Sequence, residues 1–155
     1  MNETKKNRLR LFLRLLLSAT IAFIWFNSFL GREDSASLSR MIYEWLLSVG
    51  IPIPSEHFIR KLAHFCEYGL LGCELTALFW LRSGLRFQSL CNSAFAALLT
   101  AVTDETIQIF SGRGSALTDV LLDFSGALTG ILLTSFLIYL LEKRTKRGGE
   151  STSNL

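Results

Sequence analysis

Three short stretches of this sequence concentrate side chains that can move protons or hold ions. In RKLAHFCEYG, Lys61, His64 and Tyr68 recur at i, i+3 and i+7. On a helix this puts them within about 60° of one another, with Glu67 at the margin of that face. In TDETIQIF, Asp104 and Gln108 are four apart on one face with Glu105 beside them. After SGRGS, which carries Arg113, Asp119 and Asp123 share a stripe with Gly126 and Gly130. The carboxylates Asp104, Glu105, Asp119 and Asp123 crowd one turn of the chain and repel unless they are protonated or balanced. The cations at hand are Lys61, Arg113 and a protonated His64. Two designs meet that requirement. In one, Arg113 and Lys61 hold a phosphate or carboxylate while His64 exchanges a proton with Glu105 or Asp104. In the other, the carboxylates hold a divalent cation, Mg2+ or Ca2+, through oxygen ligands, and the metal engages a phosphate. The sequence contains no H-E-x-x-H, G-x-S-x-G or P-loop to choose between them.

The elements that must position these groups are apolar. Half of the 155 residues are hydrophobic, and the mean hydropathy is +0.36, more than a water-soluble domain of this size needs. A bilayer core takes roughly 20 apolar residues per helix. Four stretches meet or approach that length: Leu11 to Leu30, Leu62 to Leu81, Leu90 to Phe110 and Leu117 to Leu141. The expected fold is therefore an all-α bundle of four transmembrane helices. The first stretch is longer than a signal-peptide core and ends in WFNSFLGRED, with no small-x-small cleavage site, so it counts as a span. Residues 1–10 form a basic leader, 11–141 the transmembrane domain, and 142–155 a basic, flexible tail whose RGGESTSNL end reads as disordered.

Basic residues are retained on the cytoplasmic side. Most of them cluster at the N-terminus (Lys5, Lys6, Arg8, Arg10, Arg14), in the second loop (Arg82, Arg86) and at the C-terminus (Lys143, Arg144, Lys146, Arg147). Both termini are therefore expected in the cytoplasm. The net charge of +3 reflects this topology and contact with anionic membrane lipids, not nucleic acid. In the first external loop, Leu38, Met41, Ile42, Trp45, Leu46 and Val49 recur at helical spacing, predicting an amphipathic interfacial helix over Ser37 to Val49. Pro52 and Pro54 then interrupt the helix, and Ser55 is a weak start signal for the second span because no Glu follows at the capping-box position.

Span direction decides where the polar stretches meet. The second and fourth spans carry theirs in their first turns and the third carries its own in its last turns, so all three lie at the external end. Gly126 and Gly130 form a G-x-x-x-G that permits close helix packing. Cys66, Cys73 and Cys91 have no C-x-x-C spacing and read as packing residues. Glu74 lies too deep to stay charged alone and is expected to be either protonated or paired, with Arg14 of the first span the best-placed partner. An ion or proton pathway would need polar groups continuing across the bilayer, to which Glu74 alone points.

At these residues the chain resembles the VanZ-like family of bacterial membrane proteins. The likeness rests on K-x-x-H-x-x-x-Y (Lys61, His64, Tyr68), on DE-x-x-Q (Asp104, Glu105, Gln108), and on G-R followed by S and D (Gly112, Arg113, Ser115, Asp119). The pair Gly126 and Gly130 completes it, and order and spacing agree from Leu11 to Leu141. Two positions depart from the family's pattern: Asp123 stands where Asn is common, and Ser111 where a proline often precedes G-R. The resemblance implies a multi-pass protein of the bacterial cytoplasmic membrane linked to glycopeptide resistance, particularly to teicoplanin. On this reading Lys61, Tyr68, Gln108, Arg113, Ser115, Asp119 and Asp123 contact an anionic envelope ligand or lipid-linked cell-wall intermediate. His64, Asp104 and Glu105 are the candidates for proton transfer if the site performs phosphoryl or acyl transfer.

The charge distribution makes a direct prediction. A C-terminal fusion should be active with a reporter that works in the cytoplasm and silent with one that works outside it; the reverse would invert the placement of the polar cluster.

Overall fold

The computed structural model describes residues 2–29, 32–111 and 116–152. These form five α-helices and, among the described residues, no strand: α1 (Glu3–Phe29), α2 (Arg32–Ser48), α3 (Glu56–Ser83), α4 (Phe87–Phe110) and α5 (Leu117–Thr152). Two helices, α1 and the part of α5 from Leu117 to Thr145, are long and apolar enough to cross a membrane.

Several boundaries fall beyond those expected from hydrophobic runs. α1 includes most of the basic leader, and α2 begins at Arg32, five residues before Ser37. The disordered end expected from Arg147 onward is helical as far as Thr152. Apolar periodicity marks the stripe a helix buries; it carries no information about polar turns that extend the helix past that stripe. The prolines break the chain between α2 and α3 as expected. Ser55, a weak start signal in the sequence, is a working N-cap whose Oγ accepts from the Phe58 N–H at 3.2 Å. Arg40 of α2 reaches Glu56 in the first turn of α3 at 3.3 Å. α3 ends at Gly84, whose φ of +78° is open to glycine and whose N–H returns to the Trp80 carbonyl at 2.8 Å.

Contacting residues give the helix directions. Between α3 and α5, Lys61 meets Asp119, His64 meets Asp123 and Trp80 Nε1 donates to Glu142 Oε1. Residue numbers rise together along both helices, so they run parallel. Between α1 and α3 the numbers run oppositely: Arg10 donates to the Leu81 carbonyl, Thr20 to Glu74 and Asn27 to Glu67. α1 is therefore antiparallel to α3. The start of α1 lies at the same end of the bundle as the α3–α4 turn.

The α3–α5 contact is made by backbone. A Cβ placed on Gly126 would overlap the carbonyl of Phe65, one on Gly130 the carbonyl of Gly69, and one on Gly72 the carbonyl of Ala127. Cys73 Sγ donates to the Gly130 carbonyl at 3.5 Å in the same seam. The expected packing role of the glycine pair is thus realised, with Gly72 on α3 as a further member that spacing did not single out.

Polar side chains share the interior with an apolar core that includes Ile24, Leu71, Leu75 and Ala97, and many large apolar side chains face outward. Glu74, Asp104, Glu105, Gln108 and Asp123 are buried, whereas large apolar residues such as Phe12, Phe26, Phe95, Val102, Leu132 and Phe136 are exposed. Along α2, Leu38, Met41, Ile42 and Trp45 of the expected apolar stripe are also exposed.

Gly130→Ala should therefore lower stability by about 1–3 kcal/mol, because the backbone it meets cannot rotate away. Gly69→Ala should be neutral or slightly stabilising, since its Cβ would sit 3.6 Å from the nearest atom, the Gly126 carbonyl oxygen, and alanine favours helix by about 1 kcal/mol. Thermal unfolding of the purified chain in detergent distinguishes the two; equal effects would refute the close seam.

Candidate functional site

The polar cluster forms at the end of the bundle where α4 passes into α5. From α3, the Lys61 ammonium lies 3.2 Å from Asp119 Oδ1 at the rim, with the two side chains 39% and 37% exposed. One turn deeper, His64 Nδ1 lies 3.7 Å from Oδ1 of Asp123, a side chain only 3% exposed. These pairs follow from the parallel α3–α5 seam, which places successive turns of the two helices opposite one another. α4 runs the other way and brings its last turns to the same level. Gln108 Nε2 donates to Asp104 Oδ2 at 3.1 Å, the i, i+4 relation read from the sequence. Glu105 faces the start of α5, where one oxygen accepts from the Ala116 N–H at 2.6 Å.

α1 completes the cluster, and its contribution was missed in the sequence. Ser28 Oγ donates to Asp104 Oδ1, and Gln108 Nε2 reaches Ser28 Oγ at 3.4 Å. Ser111 Oγ donates to the Ser28 carbonyl at 2.9 Å, tying the end of α4 to α1. Asn27 Nδ2 donates to Glu67 Oε1 at 3.4 Å. A signal was present: Asn27 and Ser28 are adjacent polar residues in an otherwise apolar stretch, and Thr20, Ile24 and Ser28, the buried residues of α1, recur every fourth position. Tyr68 is fully buried on α3. Among the described residues its hydroxyl has no hydrogen-bond partner, and it lies within electrostatic range of Asp104, Asp123, Glu67 and Glu105.

The structure thus brings together Lys61, His64, Tyr68, Asp104, Glu105, Gln108, Asp119 and Asp123 at one end of the bundle. Arg113 and Ser115 lie outside the described residues. For a cation, His64, Asp104 and Asp123 each offer one ligand atom, and these atoms lie within 4.8 Å of one another. This differs from the oxygen-only set expected from the carboxylates, because the α3–α5 seam sets His64 opposite Asp123 and so brings in an imidazole nitrogen.

The VanZ/LLP1 family profile matches residues 12–139. The chain belongs to this family. No curated protein and no solved structure matches it. The family match spans every helix that contributes to the cluster, from α1 through α5.

One expectation fails. Arg14 is exposed and is not paired with Glu74; instead Thr20 Oγ1 donates to Glu74 Oε1 at 2.9 Å. Depth along the helices allows an Arg14–Glu74 pair, but rotation about the helix axis turns Arg14 away. Thr20 lies on the buried stripe of α1 and Arg14 does not. Accordingly, Thr20→Val and Glu74→Leu should be coupled in a double-mutant cycle by about 0.6 kcal/mol, the usual size for a polar pair between membrane helices. Arg14→Gln should be additive with Glu74→Leu within about 0.5 kcal/mol. Coupling to Arg14 and none to Thr20 would reverse the assignment.

Proposed function

We propose that this VanZ/LLP1 protein is a four-span protein of the bacterial cytoplasmic membrane, with both termini in the cytoplasm, whose outer-end cluster engages an anionic cell-envelope or lipid ligand. The observation that carries the reading is the convergence of polar groups from four helices into a largely buried cluster with an open rim at Lys61 and Asp119. Ionisable groups are costly in a membrane, and where they are gathered into a bundle interior they mark a site of use.

Two features support the membrane arrangement. α3 keeps company with α5 from Lys61–Asp119 to Trp80–Glu142, so it shares the depth of a helix apolar enough to span. α4, at 24 residues, exceeds the roughly 20 that the hydrocarbon core requires. The exposed apolar exterior suits lipid contact, and α2 with its exposed Trp45 suits the outer interface. Through the family, ligand engagement at the outer leaflet is read as altering susceptibility to glycopeptides, teicoplanin in particular.

A second reading, phosphoryl or acyl transfer on a lipid-linked substrate, is favoured by one contact, His64 Nδ1 facing the buried Asp123 at 3.7 Å. That arrangement sets an imidazole beside a buried carboxyl group, the pairing that general acid–base work uses. Turnover of a polyprenyl-linked substrate by the purified protein separates the two readings.

Arg113→Ala and His64→Ala should each abolish the change in teicoplanin susceptibility that the expressed protein confers, at normal membrane abundance. Arg113→Lys should restore it in part, because lysine keeps the charge but lacks the planar fork that holds an oxyanion with two bonds. Full activity in both alanine variants would reduce the cluster to a structural network.

A further inference from the structure

We propose that His64, Asp104 and Asp123 form a binding site for a divalent transition-metal ion of the Zn2+ or Mn2+ class, with the Tyr68 hydroxyl directed at a water or ligand oxygen on that ion. The three donors come from three helices, α3, α4 and α5, and their ligand atoms already lie within 4.8 Å of one another. Two donors on one tetrahedral zinc sit roughly 3.4 Å apart. The His64 to Asp123 separation of 3.7 Å is close to that, and the rest is within the reach of side-chain rotation. Asp104 is 0% and Asp123 2% exposed. Carboxylates held this near each other repel when both are ionised, and a divalent cation between them turns the interaction attractive.

The surroundings are those of a ligand set held in place. Ser28 Oγ donates to one oxygen of Asp104 and Gln108 Nε2 to the other. Such outer hydrogen bonds orient coordinating carboxylates. Glu67 and Glu105 are engaged by Asn27 and by the Ala116 N–H, and they stand outside the group of three.

The independent pointer to a ligand is Tyr68. It sits one turn from His64 on the same helix, is 0% exposed, and carries a hydroxyl with no hydrogen-bond partner among the described residues, in the field of Asp104 and Asp123. A buried hydroxyl of this kind is rarely left unmatched. A metal-bound water or ligand oxygen supplies the missing partner. The imidazole nitrogen selects the metal class, since Mg2+ and Ca2+ prefer all-oxygen shells whereas imidazole with carboxylate suits Zn2+ and Mn2+. The inference deepens the anion-binding reading by giving a phosphate or carboxylate oxygen an open coordination position. It stands on the geometry of the ligand set, so its test needs no envelope ligand.

The full chain, purified in detergent and stripped with chelator, is dialysed against Zn2+ or Mn2+, and bound metal is counted by plasma emission spectrometry. About one ion per chain is expected, retained against a hundredfold excess of Mg2+ or Ca2+. His64→Gln, Asp104→Asn and Asp123→Asn should each weaken binding by at least about tenfold, and Tyr68→Phe by about tenfold. Replacing Cys66, Cys73 and Cys91 by Ser should leave binding intact. Wild-type protein loaded with Mn2+ provides a measurement that needs no variant: its electron spin-echo spectrum should show coupling to an imidazole nitrogen. Absence of a stoichiometric ion, displacement by equimolar Mg2+, loss of binding with the cysteines, or no nitrogen coupling would each overturn the proposal. Those failures leave anion binding to its separate susceptibility test.

Discussion

The close contact of α3 with α5 is the constraint on which the rest of the structure depends. Where lipid surrounds the helices there is no hydrophobic drive to press them together, so association rests on packing and hydrogen bonds. Small residues let the two backbones touch: Gly126 against Phe65, Gly130 against Gly69, and Gly72 against Ala127. A seam this close admits one register. Continued one and two turns toward the α4–α5 end, it sets Asp123 opposite His64 and Asp119 opposite Lys61.

α1 is held by different means. Its exterior is apolar, and its buried residues are Thr20, Ile24 and Ser28. Thr20 and Ser28 donate to carboxylates on α3 and α4, and neighbouring Asn27 donates to Glu67. The same hydrogen bonds that dock the helix therefore satisfy acids that would be costly to bury. Glu74 belongs to this docking interface through Thr20, well removed along α3 from His64.

At the cluster itself, burial and crowding act together. Asp104 and Asp123 are nearly inaccessible, the Lys61–Asp119 pair is half open to the surroundings, and exposed pairs of this kind contribute at most about 1 kcal/mol. The rim pair is thus weak enough to exchange partners with an incoming anion. On the proposed reading, the inner group holds a charge in one place while the outer rim exchanges partners.

The sequence by itself determined the helical class, the four long apolar stretches, the interruption at Pro52 and Pro54, and the faces shared by Lys61, His64 and Tyr68 and by Asp104 and Gln108. These are local properties, because the 3.6-residue period fixes which side chains lie together on one helix. Their grouping at one end was also legible, since span order and polar position along each span are one-dimensional facts. Only the tertiary structure decided which faces turn toward one another. It brought Asn27 and Ser28 into the cluster, gave Glu74 to Thr20 instead of Arg14, and set an imidazole nitrogen among the carboxylates where oxygen ligands alone were expected. The physical reason is rotation about the helix axis: depth can be counted along the chain, but azimuth is set by backbone contacts such as Gly130 on Gly69, which no single helix encodes.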